Sequence, residues 1–449
     1  MRRVTVPISV RVRLYFERLH VNRIGFGYDE VVGEVLKVED INLTDWEFWR
    51  RPHDHRHEAF KALRWHPSLV LFEEPDIVIA PQGPGYYALT RHADVVEASR
   101  RPQDFCSGRG AISIPDMPGD MHEYFGSMIS MDDPRHAKIR RIVSRAFSPR
   151  MIQRFEDRVE AVAGQIVESI AAGGGTGDFV ADVAARLPLK IICDMMGIAE
   201  DRYTTVLDAT NVILAGNDAE FIPSDDPEQL AMALLAAGET LKGLVGELGR
   251  KRRAEPTDDL TSALVNANID GESLTDQELG SFFILLVVAG NETTRNAIAH
   301  GLDLLTRDPD QRALLTEDFE ARVPGAVEEI VRYVSPVIWM RRTATRDTTL
   351  NEHEIKEGDK LLLYYWSANR DESVFTDPEK FDILRDPNPH VGFGGPGPHF
   401  CLGAHLARRE ITVMFRELLR RTPNIRASGD PDRLESNFIN GIKRLPYSI

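Results

Sequence analysis

The amino-acid sequence predicts a mainly helical protein with a minor β part, folded as one large unit. Helical patterns dominate residues 132–334 and return over 402–421. Short strand-like runs punctuated by glycine and proline flank the first of these regions, at 45–107 and 335–389. The chain has 449 residues and 42% hydrophobic content, which is ample for a large packed core.

The first 120 residues divide into three parts. Residues 1–44 show no clear pattern and are predicted to be an extension, partly disordered, ahead of a single domain over 45–449. Strands are expected at 77–80 and 86–90, among short helical pieces. The stretch 109–120 is rich in glycine, proline and methionine, so we expect a loop there.

Two breaks interrupt the helical region. The first is the glycine-rich AAGGGTGD at 171–178. The second, at 216–229, is polar, acidic and contains proline, which makes it a candidate mobile lid loop. Beyond the breaks, helices are predicted at 281–300 and from 402 to about 421.

Charge and hydropathy disfavour several classes of protein. The formal net charge of −16 argues against nucleic acid as the main partner. The longest apolar run, at 282–290, is far shorter than the roughly 18–20 residues that cross a bilayer. The arginine-rich N-terminus lacks the apolar stretch of a signal peptide. We therefore expect a cytoplasmic protein without a membrane span.

The cysteines and histidines offer few sites. Cys106, Cys193 and Cys401 are an odd and sparse set, which does not make a disulfide framework. Cys193 lies in the apolar run IICDMMGI and is expected to be a packed core thiol, whereas Cys106 receives no role. The HDHRH stretch at 53–57 lacks a companion ligand cluster, so a solvated loop is expected there rather than a zinc site.

Cys401 stands at the end of a glycine-rich loop. The segment HVGFGGPGPHFCLG at 390–403 has four glycines and two prolines between 392 and 398. Such a loop can adopt backbone conformations closed to other residues and can lie flat against a planar ligand. A helical pattern begins directly after Cys401. The positive end of a helix dipole and its free N–H groups favour the thiolate, which is the form of cysteine that binds metal.

Two other interpretations apply to this loop. The stretch 392–397 matches the G-x-G-x-x-G dinucleotide pattern, but DPNPH stands where a strand is required and a proline lies inside the motif. Both departures disfavour nucleotide binding. The second alternative is a buried structural cysteine in a tight turn, and the loop taken alone leaves it open.

The loop resembles the cysteine loop of the cytochrome P450 family. That loop runs Phe, two residues, Gly, one residue, His or Arg, one residue, Cys, one residue, Gly. Gly397, His399, Cys401 and Gly403 match it. Phe393 lies eight residues before Cys401 rather than seven, so this loop is one residue longer. A similar longer loop occurs in actinobacterial members that oxidise sterols and methyl-branched lipids.

The stretch AGNETT at 289–294 resembles the oxygen-activation motif of the same family. Ala289 and Gly290 are small and leave room for O2. Glu292 and Thr293 bring an acid and a hydroxyl, which can deliver protons to the reacting oxygen. The alternative is a polar patch on an ordinary core helix. The apolar residues before the motif disfavour that alternative, because a buried glutamate without a purpose is costly.

Two further groups match the family by position. Glu329 and Arg332 share a helix face and, with Arg385 of FDILR, are expected to form a buried structural ion-pair triad. Haem carries two anionic propionates, which need cationic donors. The resemblance implies that these donors come from His136, Arg140, Arg342 and His399. For each cation alone, a surface charge is the alternative.

The resemblance covers residues 45–449 and implies a triangular, mostly helical fold with small sheets around a buried haem b. Cys401 is the implied iron ligand, and Phe393, Gly394 and Gly403 complete the loop against the haem. A thiolate ligand favours cleavage of the O–O bond. The implied activity is that of a monooxygenase, which inserts one oxygen atom of O2 into a C–H bond.

The implied substrate is apolar. Runs such as SFFILLVVAGNETTRNAI and SANRDES resemble the mycobacterial branch that hydroxylates methyl-branched lipids and cholesterol side chains. We therefore expect terminal (omega) hydroxylation of a methyl-branched lipid, an isoprenoid or a sterol side chain. The pocket residues expected from family position are Ile112, Ile114, Val212, Leu214, Leu285, Val337, Ile338, Trp339, Phe438 and Ile439.

The electrons are expected to come from partner proteins, because the chain has no flavin or iron–sulfur segment. A ferredoxin and its NAD(P)H-dependent reductase are the expected donors. Arg141, Arg145, Arg408 and Arg409 form basic clusters that could dock an acidic ferredoxin. Two other classes stay open: a peroxygenase that uses H2O2 directly, and a haem-thiolate protein that binds or senses without turnover.

Overall fold

Helices make up most of the computed structural model, which describes residues 36–75, 82–117, 121–146, 149–216, 218–224, 226–268, 271 and 273–449. The α-helices of these residues are α1 (Trp46–Arg50), α2 (His53–Trp65), α3 (His92–Arg100), α4 (Met121–Gly126), α5 (Arg135–Ala146), α6 (Pro149–Ala172), α7 (Arg186–Met196), α8 (Tyr203–Leu214), α9 (Pro227–Ala254), α10 (Leu260–Val265), α11 (Asp276–Arg307), α12 (Pro309–Glu317), α13 (Phe319–Val334), α14 (Tyr365–Ala368) and α15 (Ala404–Arg421). The mainly helical class is confirmed.

The long helix α11 lies at the centre of the core. It spans 32 residues and packs against α7, α9, α13 and α15. A capping box begins it: the Thr275 hydroxyl accepts from the Glu278 N–H, and the Glu278 carboxylate accepts from the Thr275 N–H. These two bonds satisfy N–H groups that a helix N-terminus leaves unpaired. The helix is therefore longer at both ends than the predicted 281–300.

A five-stranded mixed sheet forms the main β part, in the order β1 (Val70–Phe72), β2 (Tyr86–Leu89), β8 (Lys360–Tyr364), β5 (Trp339–Ala344) and β3 (Phe105–Cys106). The β2–β8 pair is parallel and the others are antiparallel. Strand β8 is buried along its whole length, which explains its run of three leucines, and its buried Lys360 pairs with Glu74 and Asp116. Smaller sheets are formed by β4 (Thr176–Asp178), β12 (Pro446–Ser448) and β9 (Arg426–Ala427), by β6 (Thr348–Leu350) and β7 (His353–Ile355), and by β10 (Asp432–Arg433) and β11 (Ile442–Arg444).

Most predicted boundaries agree with the structure. The strand predicted at 86–90 is β2, and α6 ends at Ala172 before the glycine-rich break. The lid candidate separates α8 from α9. The strand predicted at 77–80 lies outside the described residues, as does most of the N-terminal extension. The chain from Lys37 to Ile449 forms one compact unit.

One local prediction is wrong. The HDHRH stretch is not a solvated loop but the first turns of α2, where His53 and His57 lie against the ring of Trp366. No group of three metal-ligating side chains occurs in the described part of the chain. None of the described helices is long and apolar enough to cross a bilayer.

Candidate active site

Backbone hydrogen bonds close the loop that carries Cys401. The Cys401 N–H donates to the carbonyl of Phe393 (2.9 Å), and the Gly394 N–H donates to the carbonyl of Val391 (2.9 Å). Gly394 has a φ of +89°, which only glycine adopts readily. The additional residue is therefore accommodated between 394 and 400, and the Phe393 backbone stays next to Cys401.

Two glycines of the loop lie directly on α3. A Cβ at Gly395 would be 2.3 Å from Ser99 Oγ, and a Cβ at Gly397 would be 2.3 Å from the Ser99 carbonyl oxygen. No strand precedes the loop, since residues 386–391 are irregular. Gly395 and Gly397 thus allow the loop to pack closely on α3. The strand that precedes a dinucleotide-binding motif is absent over residues 386–391.

Opposing effects act on the Cys401 thiol. The residue has exposed surface, yet protein crowds its sulfur, and this burial raises the pKa of the thiol. The N–H groups of Gly403 and Ala404 and the charges of Arg140 and Arg408 lower the pKa, but by less. The helix N-terminus lowers the pKa of the Cys401 thiol, as predicted, but not enough to offset the effect of burial. A coordinated metal ion deprotonates a thiol outright, so metal binding would supply the missing stabilisation.

The predicted propionate-binding cations lie together beside this loop. His136 and Arg342 are buried, and the rings of His136 and His399 are 4.3 Å apart. Arg140 donates to the carbonyl of Phe400 (2.7 Å). Burial, followed by the charges of Arg342, His136 and Arg140, lowers the pKa of His399 to about 2.

This cation cluster fits an anionic group. His136 Nε2 is buried without a hydrogen-bond partner in the protein. The carboxylate of Asp133 lies 3.4 Å from the other ring nitrogen, and the described residues place no carboxylate within ion-pair distance of Arg140 or Arg342. The guanidinium groups of Arg140 and Arg342 keep their charge, and charges withdrawn from water without a partner require a counter-anion. The two propionates of a haem satisfy this requirement.

Helix α11 presents the predicted oxygen-activation residues on different faces. Ala289 is exposed and Thr293 is half-buried, and the Thr293 hydroxyl donates to the Ala289 carbonyl (2.7 Å). Gly290 faces α7, where a Cβ would meet Ile192 Cδ1 at 3.4 Å. That distance is ordinary van der Waals contact, so the packing on α7 does not itself require glycine, and the role of Gly290 beside O2 stays a prediction.

Glu292 is held within the core. Its carboxylate pairs with Arg295 and accepts from Asn296 Nδ2 (3.2 Å), and Arg295 also donates to Asn211 of α8 (3.0 Å). Glu292 Oε2 has no partner, and neither amide atom of the buried Asn291 has one. Buried polar atoms of this kind are usually satisfied by ordered water. The side chains of α11 can thus hold water for a proton relay. Arg295 was not among the predicted site residues, although its three-residue spacing from Glu292 on one helix face is compatible with this pair.

The predicted ion-pair triad comes together. Arg332 binds Glu329 in a bidentate manner (2.7 and 2.8 Å), and Arg385 Nε lies 3.3 Å from both carboxylate oxygens. Arg332 also donates to the carbonyls of Asn369, Pro378 and Lys380. Glu329 and Arg332 are fully buried. The triad therefore fixes the irregular segment that precedes the cysteine loop.

The predicted pocket residues form two joined segments and two helical faces. The Ile338 N–H donates to the Phe438 carbonyl (2.8 Å), Val337 pairs with Ile439, and the rings of Trp339 and Phe438 are 5.0 Å apart. Ile114, Ile338, Trp339 and Ile439 are buried, whereas Ile112, Val212, Leu214, Leu285, Val337 and Phe438 are half-buried.

The loop predicted at 109–120 is tied to the sheet by residues that the sequence analysis missed. The Arg341 N–H donates to the Ala111 carbonyl (2.9 Å), and its guanidinium binds the Ile114 carbonyl (3.0 Å) and Asp116 (2.5 Å). Lys360 of β8 also pairs with Asp116 (3.0 Å). The sequence did contain a signal for this contact in MRRTAT. Neighbouring side chains of a strand point to opposite faces, so only one of Arg341 and Arg342 could face a propionate and the other needed a different partner.

The helical fold, the cysteine loop and the cation cluster define a haem-thiolate class of oxygenase. A family model described as Cytochrome P450 matches residues 89–438, and the chain belongs to this family. The family implies a haem-iron cofactor, and the protein is a monooxygenase.

Particular relatives agree with this assignment. The chain is 48% identical to a methyl-branched lipid omega-hydroxylase of Mycobacterium tuberculosis, over 92% of this chain and 95% of that protein. It is 41% identical to a steroid C26-monooxygenase of Mycolicibacterium smegmatis, over 80% of this chain and 82% of that protein. A Mycobacterium marinum cytochrome P450 in complex with pseudoionone superposes with a TM-score of 0.86 at 41% identity, covering 91% of this chain and 98% of that one.

Proposed function

We propose that this protein hydroxylates the terminal (omega) carbon of a methyl-branched lipid, an isoprenoid or a sterol side chain. The observation that carries the proposal is the apolar wall made by 337–339 and 438–439, whose backbones are joined and whose aromatic rings are in contact. An apolar wall without charged side chains suits a hydrocarbon chain. The names of the relatives in M. tuberculosis and M. smegmatis support the same substrate class.

The cofactor in this proposal is haem b. Cys401 would ligate its iron, and His136, Arg140, Arg342 and His399 would bind its propionates. Thiolate-ligated haem iron supplies the oxidising chemistry that inserts oxygen into an unactivated C–H bond. Cys401→Ala should abolish the carbon monoxide difference spectrum of thiolate-ligated haem. Cys193→Ala, which removes a buried core thiol, should retain it.

Proton delivery is assigned to Glu292 and Thr293. Thr293 lies beside the exposed Ala289 on α11, and its hydroxyl donates its one proton to the Ala289 carbonyl. The hydroxyl would have to rotate away from that carbonyl before it could donate to the reacting oxygen. Glu292 has one unpaired carboxylate oxygen that can accept a proton from, or return it to, an ordered water. A peroxygenase or a non-catalytic haem sensor would not need this pair.

A ferredoxin and its NAD(P)H-dependent reductase complete the proposal, in the cytoplasm, where NAD(P)H is supplied. Two of the four expected docking arginines are already engaged: Arg408 pairs with Glu328 and Arg409 with Glu160, each at 2.5 Å. Arg145 on α5 is exposed. We therefore assign docking mainly to the part of α5 that carries Arg145. Arg145→Glu should slow electron transfer from ferredoxin more than Arg409→Glu does, with reduction by dithionite unchanged in both.

The substrate assignment is tested by titrating the haem-loaded protein with a methyl-branched fatty acid, the straight-chain acid of equal length, and cholest-4-en-3-one. Branched and sterol ligands should give a saturable shift to the high-spin spectrum, and turnover with ferredoxin, reductase and NAD(P)H should give the terminal alcohol. Equal responses to small polar compounds would contradict the substrate class. Turnover at the same rate with H2O2 alone would favour the peroxygenase.

A further inference from the structure

A second group of basic side chains lies at the start of α2, outside the site described above. His53 and Arg56 belong to α2, and Arg433 belongs to β10. Arg50 of α1 donates to Glu435 (2.9 Å), which holds the segment around Arg433 against these first helices. The Arg56 guanidinium lies over the ring of Trp49, 5.4 Å from its centre.

Three nitrogen atoms of this group are buried without a hydrogen-bond partner in the protein. They are His53 Nε2, Arg56 Nε and Arg433 Nη1. A buried donor without a partner costs about 1–3 kcal/mol, and more when it is charged. Native proteins leave few such atoms unsatisfied, and three in one place indicate that something outside the chain accepts from them.

The charges of the group are also unbalanced. Burial first, and then the charge of Arg433, lowers the pKa of Arg56 to about 10, and no carboxylate opposes these effects. The charges of Asp303 and Asp430 raise the pKa of Arg433, but burial outweighs them, and both carboxylates pair with Arg307. Glu379 binds His57 and Arg370. In the described part of the chain, no acidic side chain forms an ion pair with Arg56 or Arg433. Arginine does not lose its proton in proteins, so the two guanidinium groups need a counter-anion.

We propose that His53, Arg56 and Arg433 form a binding site for a phosphate-type oxyanion, either inorganic phosphate or a phosphate monoester group. Two guanidinium forks and an imidazole offer several donors to one multiply charged acceptor, which matches phosphate better than a single-charged carboxylate. Water would accept from the donors but would not offset the two charges. The bound anion joins α2 to the segment 433–439, whose end carries Phe438 and Ile439 of the proposed pocket wall.

The first test measures thermal unfolding of the full-length, haem-loaded protein in inorganic phosphate and in sodium chloride of equal ionic strength. Tm should rise saturably with phosphate, because a ligand that binds only the folded state stabilises it. Arg56→Gln and Arg433→Gln should each lose this rise, and without phosphate each should be at least as stable as the wild type because repulsion is relieved. Arg51→Gln, an exposed arginine of the same segment, should keep the rise.

Calorimetric titration of the wild-type protein gives a second test that does not depend on a variant folding. Inorganic phosphate and glycerol phosphate should both bind if the site is open to a monoester, whereas binding of inorganic phosphate alone restricts it to the free ion. Removing one arginine should weaken binding about tenfold or more, the equivalent of 1.4 kcal/mol. Equal binding of acetate, no saturable binding of phosphate, or an unchanged affinity in both glutamine variants would overturn the proposal.

Discussion

Glu329 shows how burial decides the value of an ion pair. Its carboxylate is completely buried and binds Arg332 and Arg385, and it also accepts from the Asp382 N–H (2.9 Å) and from Asn388 (3.1 Å). Glu320, on the same helix α13, forms a pair with Arg416 in which its side chain is 69% exposed. If its partners are lost, the buried Glu329 carboxylate cannot bind water instead, whereas the exposed Glu320 carboxylate can.

Glu329→Gln should therefore lower the free energy of unfolding by about 3–5 kcal/mol, the cost of leaving buried cations unpaired. Glu320→Gln should change it by about 1 kcal/mol or less, because an exposed pair is hydrated in either state. Urea denaturation of the two variants beside the wild type measures both values. An equal decrease in the free energy of unfolding for the two variants would show that burial does not increase the contribution of the triad to stability.

At the level of elements, sequence patterns located α11 and β2 but missed helix ends and the start of α2. The capping box from Thr275 to Glu278 was present in the sequence, yet the apolar run alone set the predicted start at 281. Helix α2 begins with polar residues, and its buried residues begin only at Ala59. Its first turn is stabilised by Trp366, more than three hundred residues away, and such a contact leaves no local pattern.

Packing of the cysteine loop on α3 gives a prediction at this scale. A methyl group at Gly395 meets the side chain of Ser99, whereas a methyl group at Gly397 meets the Ser99 backbone. Gly395→Ala should weaken haem retention and Ser99→Gly should restore it, because the obstructing side chain is then gone. Gly397→Ala should weaken haem retention without rescue by Ser99→Gly. The fraction of haem released on gel filtration is the measurement, and rescue of both variants would contradict this geometry.

At the scale of the whole molecule, residues that share a site could be predicted from the sequence where they belong to short recognisable motifs. Cys401, the Glu329 triad and the four cations lie in such motifs, and the structure brings the members of each group together. The clamp of Asp116 by Arg341 and Lys360 could not be predicted, because it joins residues more than two hundred positions apart. The pairing of Glu292 with Arg295 was missed although it has the same three-residue spacing as that of Glu329 with Arg332, whereas the bond from Arg295 to Asn211 of another helix leaves no local pattern.

The pH dependence of stability is a further property of the whole molecule, and two glutamates of α15 affect it with opposite sign. Burial raises the pKa of Glu410 to about 8. Burial also acts on Glu417, but hydrogen bonds from Arg420 and Arg421 outweigh it and lower the pKa of that carboxyl. The folded protein thus holds a proton on Glu410 that the unfolded chain releases above about pH 4.3. The contribution of Glu410 is fully present below that pH and is lost as the pH rises toward 8, by about 1.4 kcal/mol per unit.

Glu410→Gln keeps the shape of the side chain and stays neutral, so its free energy of unfolding should not show this decline and should exceed that of the wild type near pH 8. Glu417→Gln should behave in the opposite way, because the stabilisation from a lowered pKa is present above the ordinary value of a glutamate and is lost as the pH falls below it. The variant should be less stable than the wild type at neutral pH and should approach it in acid. Urea denaturation between pH 4 and pH 8 tests both, and a Glu410→Gln curve parallel to the wild type would mean that this carboxyl titrates normally in the fold.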